Sequence, residues 1–150
     1  MCNGHSTRTS QGGTIAVLRP ICPRYFPGGS DNEPQSRTEQ LNGSLFFQNG
    51  LANLHTQAVF RGDNLQSNRT FHNCFAVIHK YGDNDKFHPL HQLDMRRESI
   101  PSDDGRTSEF TVGKALDLTV GENGVIGRRI TVHRMGNLSS PIAEGIIGWN

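Results

Sequence analysis

Residues 73–80 read NCFAVIHK, a short run rich in β-branched and aromatic residues that is typical of a β-strand. Turn formers such as Asp103-Asp104-Gly105 separate runs of this kind along the chain. No segment of a dozen residues repeats apolar positions at helical spacing. The runs predicted to be strands are residues 14–18, 41–48, 54–61, 73–80, 107–112, 115–120, 125–134 and 145–149. Eight short strands without crossover helices predict an all-β fold, either an antiparallel sandwich or a flattened barrel.

The chain length of 150 residues predicts a single domain that spans residues 1–150. Two stretches interrupt the strand pattern. Residues 19–40 contain four prolines and a Gly-Gly pair, so we expect a Pro/Gly-rich surface insertion there. Residues 83–106 are polar and poor in β-forming residues, so we expect a second long loop, the kind of segment in which functional sites tend to lie.

The net charge, the lengths of the apolar runs and the cysteine content indicate which partners and which cellular location to expect. A net charge of +1 gives no general field that would attract nucleic acid or an anionic membrane. The apolar runs are far shorter than the roughly 20 residues that a transmembrane helix needs. Three cysteines, Cys2, Cys22 and Cys74, cannot all pair within one chain, so we expect no disulfide framework. These features favour a cytoplasmic protein that binds neither nucleic acid nor membranes.

Histidines are the residues most able to carry chemistry. His88, His91 and Asp94 place two imidazoles and a carboxylate within seven residues, and these groups are ligands that zinc and copper accept. The alternative is that they are exposed loop side chains without a ligand. His79 and His133 each lie towards the end of a predicted strand. They could share a metal only if their strands are neighbours, and otherwise each is a half-buried histidine bonded to the backbone.

Several short motifs occur in the same order as in a known family. Residues 77–83 (VIHKYGD) resemble the His-Val-His-Glu-Phe-Gly-Asp segment of copper/zinc superoxide dismutases, and residues 91–95 (HQLDM) are similar to that family's zinc-binding His-Val-Gly-Asp-Leu. Residues 125–133 (VIGRRITVH) follow at nearly the family's spacing, and residues 142–148 (IAEGIIG) resemble its Leu-Ala-Cys-Gly-Val-Ile-Gly ending. The resemblance implies an eight-stranded Greek-key β-sandwich or flattened barrel that binds copper and zinc.

The resemblance also assigns roles to the histidines. It implies that His79 and His133 occupy copper-ligand positions and that His91 and Asp94 occupy zinc-ligand positions. His88 is the candidate for the histidine that bridges the two metals in the family.

The chain departs from the family at positions that matter for catalysis. Val77 stands where the family has its first copper histidine, and Pro141 stands where it has the arginine that attracts and orients superoxide. Glu144 replaces a disulfide cysteine, and residues 135–140 replace a long charged loop. A missing ligand, a missing cation and a missing loop together predict a degraded metal centre with weak or absent dismutation and residual copper or zinc binding.

Two alternatives stay open. The chain could be an active but slow dismutase, in which water or His72 acts as the fourth ligand. It could instead be a metal-free β-sandwich interaction module that uses residues 19–40 or an exposed sheet. The expected partner is a metal ion, and the other candidate partners are a second copy of the chain and a dismutase-like subunit.

Overall fold

The computed structural model describes residues 12–21, 40–52, 54–81, 89–96, 100–137 and 139–150. Within these ranges the chain forms nine strands and one short helix. The elements are β1 (Thr14–Pro20), β2 (Gly43–Asn49), β3 (Thr56–Gly62), α1 (Leu65–Phe71), β4 (Cys74–His79), β5 (Pro89–Asp94), β6 (Ile100–Pro101), β7 (Thr107–Val112), β8 (Arg129–Arg134) and β9 (Pro141–Trp149). No helix of the described residues is long and apolar enough to cross a membrane.

All neighbouring strands are antiparallel and form one sheet in the order β5-β4-β8-β9-β1-β2-β3-β7-β6. The sheet curls into a flattened, nearly closed barrel with β5 and β6 at its two edges. The connections from β3 through α1 to β4 and from β7 to β8 join separate parts of the sheet, as in Greek-key barrels. The predicted antiparallel, all-β flattened barrel is therefore confirmed.

The core fills the barrel with alternate residues of each strand. Period-2 alternation sends every second side chain inward, and the inward positions of β1, β2, β3, β4 and β8 are almost all apolar and completely buried. The helix α1 closes one end of the barrel. It begins after Asn64, whose side chain accepts a hydrogen bond of 2.8 Å from the Ser67 backbone N–H. It ends on Phe71, whose ring stacks on Phe60 at 3.9 Å.

Seven of the eight predicted strands are present, and residues 115–120 are not a strand. Leu116 is buried there, but its backbone bonds to side chains rather than to a neighbouring strand. Its N–H donates to the Thr56 hydroxyl at 2.8 Å, and its carbonyl accepts from the Asn49 amide at 3.0 Å. The alternation of apolar residues at 115–120 therefore reflects a loop that packs on the core and not a strand.

The polar stretch 83–106 contains two strands that the sequence pattern missed. The strand β5 lies at an edge of the sheet, and its residues are mostly exposed or half-buried, so it lacks the apolar run that marks an inner strand. The strand β6 has only two residues. The helix α1 was also missed, because seven residues are too few to show a helical period. Of the expected insertion at 19–40, Arg19 and Pro20 belong to β1, and residues 22–39 lie outside the described residues.

Replacing Phe71 with alanine tests the packing of α1 on the barrel. Phe71 is fully buried between Phe60 and Phe110, so we expect Phe71→Ala to lower the free energy of unfolding by about 3–5 kcal/mol. Urea denaturation measures the loss. Leu65→Ala is the control, because Leu65 belongs to the same helix but is 51% exposed, and it should cost no more than about 0.5 kcal/mol. Equal losses in the two variants would contradict this packing.

Candidate functional site

Two of the predicted ligands lie on the outer face of two neighbouring strands. In the β4–β8 pairing, Val77 lies opposite Thr131, and Phe75 lies opposite His133. Because side chains two apart share a face of a strand, His79 lies on the same face as Val77. The intervening residues of both strands point into the core. The register therefore places both histidines on the outside of the same part of the barrel wall.

A threonine hydroxyl joins the two histidines. The Nε2 atom of His79 lies 2.7 Å from the Oγ1 atom of Thr131, and the Nε2 atom of His133 lies 2.9 Å from the same oxygen. A hydroxyl has one proton, so Thr131 can donate to at most one of the two imidazoles and accepts from the other. At least one ring therefore donates its Nε2–H to Thr131. Both Nε2 atoms point at one place, although their residues lie 54 positions apart in the chain.

His133 is the more enclosed of the two imidazoles. It is only 7% exposed, and its ring stacks on Phe75 with centroids 5.2 Å apart. Its Nδ1 atom is buried and has no hydrogen-bond partner among the described residues. Burial lowers the pKa of His133 below its ordinary value of 6.5, and the nearby His79 and Arg129 lower it further. The neutral form of this imidazole, which is the form that binds metals, is thus favoured.

An ion pair flanks the histidines on the same face. Arg129 lies two residues before Thr131 and faces outward with it, and Glu144 of β9 lies opposite Thr131. The guanidinium of Arg129 donates to one Glu144 oxygen from Nε at 2.9 Å and from its terminal nitrogen at 2.5 Å. Both side chains are partly exposed. The carboxylate at position 144 therefore neutralises a cation that shares the outer face with the histidines.

The predicted zinc ligands of β5 point to opposite sides of the sheet. His91 lies opposite the buried Ile78, whereas Asp94 lies opposite Phe75 on the outer face. This follows from their spacing, because residues three apart on a strand face opposite ways. Asp94 forms a 3.1 Å ion pair with Arg96. Partial burial, and then the charges of Lys114 and Arg128, lower the pKa of His91, and its Nδ1 atom has no partner among the described residues.

The remaining candidate ligands, His88 and His72, do not add a described donor to the outer face. His88 lies outside the described residues. His72 caps the end of α1, and its Nε2 atom lies 2.9 Å from the hydroxyl of Ser108 on β7, so it is bonded to a different strand from His79 and His133. No group of three or more His, Cys, Asp or Glu side chains within the described ranges is arranged to hold a metal ion. The described donors at the outer face are therefore two imidazoles and one hydroxyl.

Two residues of this region were missed or only partly understood from the sequence. Thr131 was not singled out, although its place two residues before His133 puts it on the same face of a strand. Arg128 has a structural role in this region. Its guanidinium donates to four backbone carbonyls, those of Gly124, Gly121, Glu122 and Lys80. The last bond fixes the chain directly after His79.

No protein-family model and no curated protein matches the chain. The resemblance to copper/zinc superoxide dismutases therefore depends on the short motifs quoted above and on their order.

The lowered pKa of His133 predicts a dependence of stability on pH. The unfolded chain binds a proton near pH 6.5 and the folded chain does so only at lower pH, so the folded state is fully stabilised above pH 6.5 and loses stability as the pH falls through the folded pKa. Urea denaturation from about pH 8 down to about pH 5 should show this decline. In His133→Phe, which keeps a ring against Phe75, the decline should be smaller, with His91 accounting for part of what remains. An unchanged slope would contradict the assignment to His133.

Proposed function

We propose that this protein is a divergent relative of the copper/zinc superoxide dismutases that binds copper or zinc weakly and dismutes superoxide poorly or not at all. One observation carries the proposal. Two imidazole Nε2 atoms from neighbouring strands contact the same Thr131 oxygen, so they are no farther apart than the sum of the two short distances. Imidazole is a favoured ligand of both metals, and two such nitrogens aimed at one place are the minimum of a metal site.

The number of donors argues for weak binding. Structural zinc sites have four protein ligands and catalytic ones have three. Val77 faces outward directly opposite Thr131, which is where a third imidazole of β4 would lie, but its isopropyl group cannot bind a metal. His88 is the proposed third ligand, and His91 and Asp94 remain proposed as zinc ligands from the resemblance. A bound metal would supply Lewis acidity and, for copper, a change of oxidation state.

The hydrogen bonds that usually orient metal-binding histidines are also incomplete. A metal-binding histidine usually donates its second ring N–H to a carboxylate or a carbonyl, which fixes the ring and makes it more basic. The Nδ1 atom of His133 is buried and has no such partner among the described residues. Binding through Nε2 also requires each ring to give up its hydrogen bond to Thr131. Both features lower the expected affinity.

The charges near the site argue against fast turnover. Efficient dismutation depends on a positive potential that draws the superoxide anion to its site. Position 141 holds proline instead of an arginine, and Arg129, the cation beside His133, is paired with Glu144. Arg129 is therefore poorly placed to replace the missing cation. We expect superoxide to arrive at the site without electrostatic guidance.

Metal binding by purified protein tests this proposal. We expect copper to bind in a labile, sub-stoichiometric way, with slow removal of superoxide in a stopped-flow assay. His79→Ala and His133→Ala should each weaken copper binding by about tenfold or more. His55→Ala is the control, because His55 lies next to the start of β3 and away from the β4–β8 pair. One tightly held copper per chain with fast superoxide removal would contradict the proposal. A melting temperature indifferent to both metals and chelators would favour the metal-free module.

Restoring a donor at position 77 tests the geometry of the site directly. Because Val77 faces outward opposite Thr131, Val77→His should raise copper affinity by about tenfold or more. Gln92→His is the matched control, because Gln92 lies opposite Val77 on β5, one strand farther from Thr131. A competition titration with a copper chelator measures both affinities. Equal gains in the two variants would show that position 77 is not part of a shared site.

A further inference from the structure

A small polar cleft lies beside α1 and the end of β8. It has a volume of about 210 Å³ and is lined by Gln66, Arg69, Thr70, Asn73 and Arg134. The first four residues follow the spacing i, i+3, i+4 and i+7, so they lie along one face of α1 and the turn that follows it. Arg134 comes from the end of β8. The cleft is smaller than the pockets that hold drug-sized ligands, but it has room for a small ion or group.

The side chains of this cleft are mostly hydrogen-bond donors. Two guanidinium groups, two amides and one hydroxyl can all donate, and the lining contains no carboxylate among the described residues. The end of a helix would disfavour an anion through its free carbonyls. Here the carbonyls of Asn68 and Thr70 already accept hydrogen bonds from the backbone N–H groups of His72 and Asn73. The described lining therefore offers hydrogen-bond donors that suit a negatively charged ligand.

The buried hydroxyl of Thr70 is a second, independent indication that the cleft holds a ligand. It is 6% exposed, and its hydroxyl is buried without a hydrogen-bond partner among the described residues. A buried hydroxyl without a partner costs free energy, so such groups are uncommon in folded proteins. A threonine in a helix has two accessible side-chain rotamers, so the hydroxyl can turn towards an oxygen atom in the cleft. A bound oxyanion would give it the acceptor that it lacks.

We propose that this cleft binds a tetrahedral oxyanion of the phosphate class, held by Arg69 and Arg134 and by the Thr70 hydroxyl. Arginine is suited to this role because its planar guanidinium makes paired hydrogen bonds to phosphate oxygens. The anion is either free inorganic phosphate or the phosphate group of a small phosphomonoester. The proposal does not depend on metal binding, because Arg134 and His133 are consecutive in β8 and point to opposite sides of it.

Titration of the 150-residue chain with inorganic phosphate at low ionic strength tests this site, with calorimetry as the measurement. We expect saturable binding that weakens as sodium chloride is added, because salt screens the attraction. Arg69→Gln and Arg134→Gln should each weaken binding by about tenfold or more. Arg61→Gln is the matched control, because it removes the same charge from a side chain that lies over Phe46 on the barrel wall. No saturable binding, or equal weakening in all three variants, would overturn the proposal.

Thr70→Val separates a binding role from a structural one. It replaces the hydroxyl by a methyl group of similar size, so it removes no hydrogen bond seen in the structure. We expect phosphate binding to weaken while the melting temperature stays equal or rises. A lower melting temperature with unchanged phosphate binding would overturn the role of the hydroxyl.

Two further ligands identify the class of anion. Tighter binding of glycerol phosphate than of inorganic phosphate would identify a phosphomonoester as the ligand, and the reverse order would identify free phosphate. Acetate binding as tight as phosphate binding would overturn the assignment to a tetrahedral oxyanion.

Discussion

The antiparallel pairing of β4 with β8 is the constraint on which the outer face of this barrel depends. Its register sets Val77 opposite Thr131 and Phe75 opposite His133, and it holds the inward residues of both strands in the core. A shift of one residue would turn every side chain of a strand to the other face, which would point the histidines into the core and the apolar residues outward. The packing of the core therefore fixes the place of the two imidazoles. No further contact is needed to bring His79 and His133 close together.

In the proposed metal site, the Thr131 hydroxyl and a metal ion would compete for the same nitrogen atoms. Thr131 bonds to both Nε2 atoms, so it stabilises the two rings and would have to be displaced for a metal to bind. The pKa shift of His133 acts in the opposite direction, because it keeps the ring neutral and ready to bind. The balance between these two effects is what makes the proposed affinity low without excluding binding. A histidine at position 77 would shift that balance towards the metal.

The sequence predicted the inner strands well because a strand that is buried on one face carries an apolar alternation that can be read directly. The prediction of strands was wrong at β5 and at residues 115–120. In these two segments a residue can be buried without strand pairing, or paired without being buried. The edge strand β5 is paired but mostly exposed, whereas Leu116 is buried but unpaired. The candidate site was also only partly predictable from the sequence. The motifs indicated His79 and His133, but only the strand register shows that Thr131 lies between them, because the local sequence does not reveal which distant strands pair.

The distribution of cations bears on both proposals. A net charge of +1 already implied that any electrostatic recognition must be local. Two arginines on the outer surface are compensated, since Arg129 bonds to Glu144 and Arg96 bonds to Asp94. Arg69 and Arg134 share a cleft whose described lining contains no acidic residue. A face that neutralises its cation is poorly suited to drawing in superoxide, whereas a cleft that concentrates two cations is suited to holding an anion. The barrel thus separates a proposed metal site, which has little local charge, from a proposed oxyanion site at its end.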